Sequence, residues 1–274
     1  MKNTFVHRSA NSVVKLLQIT DSHLFKDEKT ELLGVNTQAG FAQVLAEIQQ
    51  EKREFDVIFA TGDLVQDGSD EGYQRFVEMI KPFGKPVFWI PGNHDFQPKM
   101  VENLNQSPME NAKHILLGDH WQALLLDSQV YGVPHGELSQ YQLELLKLTL
   151  AEYPERYTLI VFHHHLLPTN SAWLDQHNLR NSHDLLDVLA PFKNVKAILY
   201  GHIHQQVDGQ WKGYQVMATP STCIQFKADS NHFALDTVQP GWREIDLYSD
   251  GSIVTKVKRI QQTRFLPNMQ EEGY

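Results

Sequence analysis

Five apolar runs of strand length in this chain each stop abruptly at carboxylate, imidazole or amide side chains, and that repeated junction is the strongest constraint on its fold. In one of them Val87 to Ile90 lead into Gly92-Asn93-His94-Asp95. This places an amide oxygen, an imidazole and a carboxylate at the carboxyl end of an expected strand. Asn93 can offer its oxygen to a hard or borderline metal ion, His94 can titrate near neutrality, and Asp95 is placed to orient it. A Gly-Asn pair alone is first of all a turn signal. Its weight comes from the other four junctions.

Taken in order, Val13 to Ile19 reads as a strand that breaks into Asp21-Ser22-His23. A helix is expected over 37–53, with Phe41, Val44, Leu45 and Ile48 at i, i+3, i+4 and i+7. Strand Val57 to Ala60 ends in Gly62-Asp63. A second helix over 70–81 repeats the pattern with Tyr73, Phe76, Val77 and Ile80, and Pro82 and Gly84 stop it. The strand at Val87 follows. This βαβαβ order predicts a largely parallel sheet with helices on its faces, and ligands of such sheets lie beyond the carboxyl ends of the strands.

Further along, Trp121 to Leu126 reads as a buried strand, 128–137 as a loop, and Ser139 with Gln142 as a capping box opening a helix. Strand Thr158 to Phe162 ends in His163-His164-His165. The stretch 166–180 reads as an active-site flap, a short helix spans 182–189, and strand Val195 to Tyr200 ends in Gly201-His202-Ile203-His204. Beyond it lie short alternating runs (205–207, 214–218, 242–248, 253–260), with turn signals Asp208-Gly209 and Asp250-Gly251 that predict antiparallel hairpins. The tail beyond Thr263 is expected to cross the surface. The expected fold class is α/β: two face-to-face mixed β-sheets flanked by helices. One domain is expected over 1–274, with catalytic motifs in 21–204 and mainly antiparallel strands over 205–262.

A formal net charge of −9 argues against broad nucleic-acid binding, so an acidic chain that handles phosphate needs locally bound cations. The single cysteine, Cys223, cannot form an intrachain disulfide and suits a reducing compartment; it reads as a small buried residue rather than a nucleophile. The N-terminus lacks an apolar signal region, and no stretch approaches the roughly 18 apolar residues of a membrane span. The expectation is a cytoplasmic protein with no membrane partner, and the sequence admits a homodimer.

The junctions collect Asp21, His23, Asp63, Asn93, His163, His202 and His204, an O/N donor set suited to manganese, iron, zinc or similar ions. Seven donors are too many for one ion; with one bridging carboxylate they make two four-donor sites. Asp21-x-His23 and His202-x-His204 each put two side chains on one side of an extended segment, and Gly62 lets the backbone of Asp63 come close. Among the remaining histidines, His7, His114, His120 and His232 fall outside these clusters. His135, Trp173 and His177 are candidates to contact a base or ribose, or are explained by packing.

Asp-x-His, Gly-Asp, Gly-Asn-His-Asp, a His after a strand and Gly-His-x-His, in this order from Asp21 to His204, resemble the motifs of the calcineurin-like binuclear metallophosphoesterases. More narrowly the chain is similar to the bacterial class III cyclic-nucleotide phosphodiesterases at 17–25 (LQITDSHLF), 92–98 (GNHDFQP), 132–139 (GVPHGELS), 173–177 (WLDQH) and 219–223 (TPSTC). The resemblance implies one metal on Asp21, His23, Asp63 and His204, another on Asp63, Asn93, His163 and His202, and Fe²⁺ and/or Mn²⁺ as the two divalent ions. It selects His163 from the three consecutive histidines. It implies hydrolysis of 3′,5′-cyclic AMP to 5′-AMP by in-line attack of a metal-bridging hydroxide, lowering cellular cyclic AMP. His23, Asp63, Asn93, His94, His163 and His204 would then contact the substrate. His94 would stabilise the transition state and protonate the leaving oxygen with Asp95 orienting it, or else hold Asn93.

Other readings are a protein Ser/Thr phosphatase, a broader phosphodiesterase or pyrophosphatase, and a non-catalytic interaction module on the same fold. The first usually carries an arginine in the second motif and Gly-Asn-His-Glu in the third, unlike Gly62 to Gly68 and Gly92 to Asp95 here. The last typically loses ligands, and none is missing.

Overall fold

The structure is a computed structural model that describes residues 4–9, 12–261 and 264–273. In chain order the elements are β1 (Thr4–His7), β2 (Val13–Ile19), β3 (Glu31–Leu32), β4 (Val35–Asn36), α1 (Thr37–Gln50), β5 (Val57–Ala60), α2 (Asp70–Ile80), β6 (Val87–Trp89), α3 (Gln97–Asn103), β7 (Met109–Glu110), β8 (His114–Leu117) and β9 (Trp121–Leu125). They continue with α4 (Gln140–Glu152), β10 (Tyr157–Val161), α5 (Ser182–Leu189), β11 (Val195–Tyr200), β12 (Val207–Trp211), β13 (Tyr214–Ala218), β14 (Gln225–Phe226), β15 (Leu235–Asp236), β16 (Gly241–Tyr248) and β17 (Ile253–Arg259).

Two mixed sheets result. One runs β17-β16-β2-β5-β6-β7, with β2, β5, β6 and β7 parallel and β16 antiparallel to β2. The other runs β1-β8-β9-β10-β11-β13-β12, parallel from β9 through β13. Alternate residues of strands from both sheets form a shared inner core: Leu16, Phe59 and Phe88 from one, Ile115, Val161 and Leu199 from the other. The Phe5 and Phe88 rings meet edge to face at 5.0 Å across it. Such face-to-face packing needs period-two alternation on every strand. The opposite faces bury helix stripes, and Phe41 of α1 stacks on Phe76 of α2 at 5.4 Å. Asn36 and Ser69 cap these helices, accepting from the N–H groups of Ala39 and Gly72.

Several expectations need correction. Asp208-Gly209 is not a turn: both lie inside β12, and the hairpin closes at Lys212-Gly213, whose φ values of 51° and 95° fit a two-residue turn of matching twist. Asp208 instead accepts from Arg243, a fully buried side chain on β16 that also donates to the carbonyls of Val207 and Ala218 and so ties the two sheets together. The segment 205–206 stays outside the strand. The capping box at Ser139 is half made: its hydroxyl accepts from Gln142 N, while the Gln142 side chain takes the Asp127 N–H. The strands β1, β7 and β8 had no clear signal. Of the last strands, β12 and β13 join one large sheet, β16 and β17 the other, and β14 pairs with β15 alone; their pairings are antiparallel except that β13 runs parallel to β11. Thr263 lies outside the described residues; beyond it Phe265 is buried and Asn268 N–H donates to Leu33 O. No helix among the described residues is long and apolar enough to cross a membrane.

Candidate metal centre

The loops after β2, β5, β6, β10 and β11 all leave the same end of the two sheets and converge. The expectation of an extended Asp-x-His and His-x-His is wrong. Asp21, His23, Asp63, His202 and His204 take left-handed backbone, with φ of 54°, 45°, 49°, 69° and 51°. Such conformations cost non-glycine residues ~1–3 kcal/mol each and persist only where surroundings impose them. Here the surroundings are a zip between loops: Asp21 N–H donates to Gly62 O and His23 N–H to Asp63 O, each at 3.0 Å. The Asp21 carboxylate accepts from Thr20 Oγ1 at 2.6 Å and from the His202 N–H. Because the chain curls, His202 and His204 part company rather than sharing one side: His204 joins Asp21 and His23, and His202 joins Asp63 and His163.

Gly62 meets the expectation of close approach. Its φ is +97°, and a Cβ there would overlap His163 Nδ1 and lie 2.8 Å from Gly92 N.

The imidazoles are oriented from behind. Nδ1 of His163 faces Thr61 O at 2.7 Å, that of His204 faces Ile224 O at 3.0 Å, and that of His23 faces Gln66 Oε1 at 2.5 Å. An oxygen acceptor at Nδ1 fixes the tautomer and turns the Nε2 lone pair inward. The consequence is a crowd of electron pairs: Nε2 of His23 and His204 lie 3.1 Å apart, and Nε2 of His163 is 3.1 Å from Asp63 Oδ2. His204 Nε2 lies 3.4 Å from Asp21 Oδ1. Asn93 Oδ1 and the Nε2 atoms of His163 and His202 are buried without a hydrogen-bond partner. Buried polar atoms are rarely left so, and lone pairs facing one another at these distances call for cations between them.

Electrostatics agree. Burial holds His23 down to about 3 and pushes His202 well below its ordinary range, so both are neutral donors. Burial opposes the charged forms of Asp21 and Asp63, but the imidazoles of His204 for Asp21, and of His163 and His94 for Asp63, outweigh it and keep both carboxylates below their ordinary range. Burial also opposes charge on His163, yet Asp63 and Asp21 raise its pKa to about 9, the mark of a strongly negative pocket. Two carboxylates, an amide and four imidazoles fit hard or borderline divalent ions.

His94 stands at the rim, its ring edge-on to His23 at 5.2 Å and its N–H donating to Asp63 Oδ1 at 2.8 Å. Burial lowers its pKa. The Asp95 carboxylate is occupied by the N–H groups of Leu64, Val65 and Gly92 and by the Tyr73 hydroxyl. Its hold on His94 therefore passes through the backbone.

His164 and His165 turn elsewhere, towards Ser128 Oγ at 2.8 Å and Asp175 at 3.7 Å. Cys223 is buried and its thiol is pushed up to about 12 by burial. Trp173 and His177, with Asp63, Asn93, His94, His202 and Phe226, line a cavity of about 400 Å³ opening on the centre; His135 is not among its lining residues. Sequence reasoning missed Thr20, Gln66, Tyr73 and Phe226, whose ring stacks on His204 at 4.3 Å. Of these only Thr20 and Gln66 lay inside a recognised motif.

Residues 14–206 match the family model of the calcineurin-like phosphoesterases. The chain belongs to that family. It is 79% identical over 274 residues, all of both chains, to the 3′,5′-cyclic adenosine monophosphate phosphodiesterase CpdA of Haemophilus influenzae. It is 53% identical over 261 residues, 95% of each chain, to the protein of that name from Escherichia coli K12. Among solved structures it is similar in fold to a dimetal phosphatase from Danio rerio (TM-score 0.60, 14% identity, 90% of this chain and 99% of that one). A yellow lupin purple acid phosphatase, PPD1, gives a TM-score of 0.67 at 14% identity, over 95% of this chain and 54% of that one. Family and donor set together imply divalent metal ions.

Proposed function

We propose that this chain hydrolyses 3′,5′-cyclic AMP to 5′-AMP. The observation that carries this reading is the end-to-end 79% identity to an enzyme named for that reaction, and the convergence of every expected donor supports it. One ion would be held by Asp21, His23, Asp63 and His204, the other by Asp63, Asn93, His163 and His202, with Asp63 shared. Fe²⁺ or Mn²⁺ suits this mixture of imidazole and oxygen donors. When bound, such ions lower the pKa of coordinated water and offset charge on the phosphodiester.

The rest is the work of the chain. His23, Asp63, Asn93, His94, His163 and His204 surround the place of the phosphate. His94, which lines the cavity, is our candidate to stabilise the transition state and protonate the leaving 3′ oxygen, a role that requires the bound substrate to offset the burial that lowers its pKa. Trp173, His177 and Phe226 offer the nucleoside a wall of rings. Because β16 and β17 complete the sheet that carries Asp21, Asp63 and Asn93, we read residues 1–274 as one catalytic domain. The net charge of −9 and the single buried cysteine support a small-molecule substrate and a cytoplasmic setting.

The test is turnover by metal-stripped protein restored with Mn²⁺ or Fe²⁺. Cyclic AMP would be run beside cyclic GMP, a 2′,3′-cyclic nucleotide and a generic aryl phosphodiester. Metal-dependent release of 5′-AMP, abolished in Asp63→Ala and His94→Ala, is expected. Turnover of the aryl diester alone would discard the substrate and keep the chemistry.

A further inference from the structure

The loop Gly92 to Asp95 is gripped from two sides. On the inner side lie the Asp95 carboxylate, with its four donors, and the His94 N–H on Asp63. On the outer side stands one side chain from the loop between β9 and α4. Gln129 Nε2 donates to Gly92 O and to Asp95 O, each at 2.6 Å, spanning both ends of the segment that carries Asn93 and His94. Its amide is itself oriented. Gln97 Nε2 donates to Gln129 Oε1 and to Asp127 Oδ2, both at 2.8 Å, and Asp127 Oδ1 accepts the Gln129 N–H at 2.9 Å. This closed circuit fixes which end of the Gln129 amide faces the loop. Three residues further on, Gly132 to Pro134 line the cavity beside the metal centre.

We propose that Gln129 is a positioning residue, which sets the depth at which His94 and Asn93 meet the substrate and ties that setting to the cavity wall at 132–134. Gly92 O belongs to the peptide unit that precedes Asn93 and Asp95 O to the one that follows Asp95, so neither can turn away without moving its end of the loop. Losing both hydrogen bonds therefore releases the outer grip on the loop, with the inner one left in place, without removing any group that touches substrate. The inference rests on the phosphodiesterase reading only in using turnover as its readout.

The experiment compares Gln129→Ala, Gln129→Glu, Gln97→Ala and the double variant Q97A/Q129A with the parent protein, each loaded with Mn²⁺. Cyclic AMP and a generic aryl phosphodiester serve as substrates, and bound metal is counted. Misplacement by about 1 Å can cost ~10²-fold in rate, so Gln129→Ala is expected to lower kcat by about 10–100-fold on both substrates, with KM within a factor of about three and two Mn²⁺ still bound at saturating metal. Gln129→Glu keeps the volume but cannot donate, so it should lose as much. Gln97→Ala acts through Gln129: its smaller loss should vanish in the double variant, which should match Gln129→Ala alone.

Parental kcat in Gln129→Ala or Gln129→Glu, multiplying losses in the double variant, or loss of a metal ion from Gln129→Ala would each overturn the proposal. If cyclic AMP is not hydrolysed by the parent, the substrate reading fails while the aryl diester series still decides the role of Gln129.

Discussion

Replacing Gly92 by alanine isolates the packing on which the metal centre depends. Gly92 does not occupy the left-handed region, so alanine brings no backbone strain of its own. The whole effect is steric. An added Cβ would overlap Asp63 N and Oδ1 and lie 2.6 Å from Asp63 Cγ, about 0.8 Å short of the 3.4 Å where ordinary contact begins. Asp63 cannot swing aside freely, since its Oδ1 accepts the His94 N–H and its Oδ2 lies 3.1 Å from His163 Nε2. Overpacking of this kind costs ~1–3 kcal/mol of stability, and disturbing the support of a ligand lowers metal affinity ~10–100-fold. The expected kcat/KM loss is of order 10²-fold. Metal titration by calorimetry and steady-state turnover read these effects, with Gly273→Ala, where nothing lies within 4 Å of the added methyl, as control. Two ions bound at parental affinity and unchanged turnover in Gly92→Ala would refute the shared, rigidly held Asp63.

Arg243→Met should destabilise the fold by roughly 2–5 kcal/mol in urea unfolding, because it strips the Val207 and Ala218 carbonyls of a buried donor; Asp208, 45% exposed, adds little. A loss below ~0.5 kcal/mol would mean the guanidinium does not tie the sheets. Lys113, whose ammonium lies over the Trp89 ring and donates to Trp89 O, is pushed down to about 7 by burial, partly offset by Asp127. The unfolded chain thus holds this proton up to its ordinary value of 10.5 while the folded one releases it near 7. The penalty is complete below about pH 7, and stability rises with pH across that window. Lys113→Met should flatten the rise in unfolding free energy between pH 7 and pH 10; an unchanged slope would contradict a buried, depressed Lys113.

The sequence made the α/β class with two mixed sheets legible, and it gathered the candidate donors at the strand ends. Each candidate donor sits where an apolar strand ends, and strand ends are readable because hydrophobic periodicity stops there. What could not be read is how the ligands are held. Thr61 O and Ile224 O, which orient His163 and His204, are backbone atoms with no side-chain signature. The left-handed turns at Asp21 and His23 are held by hydrogen bonds to a loop some forty residues away in sequence, although aspartate and histidine visit that region more readily than most residues. Asp208-Gly209 misled because turn chemistry is local, whereas the β12–β13 ladder pairs Asp208 with Met217 and Gly209 with Val216 and moves the turn on to Lys212-Gly213. The strand β8 is only four residues long and opens on His114, whose partners Thr4 and Gln122 come from other strands, and β7 has only two residues.

The central claim is that inward-facing lone pairs on two carboxylates, an amide and four imidazoles build a centre for two cations that acts on a phosphodiester. The most direct test is to titrate metal-stripped protein with Mn²⁺ while following 5′-AMP release from cyclic AMP. Turnover should stay near zero until the second equivalent binds, reach its plateau at two ions per chain, and disappear in Asn93→Ala. Full turnover with one ion per chain, or turnover that survives metal removal, would contradict it.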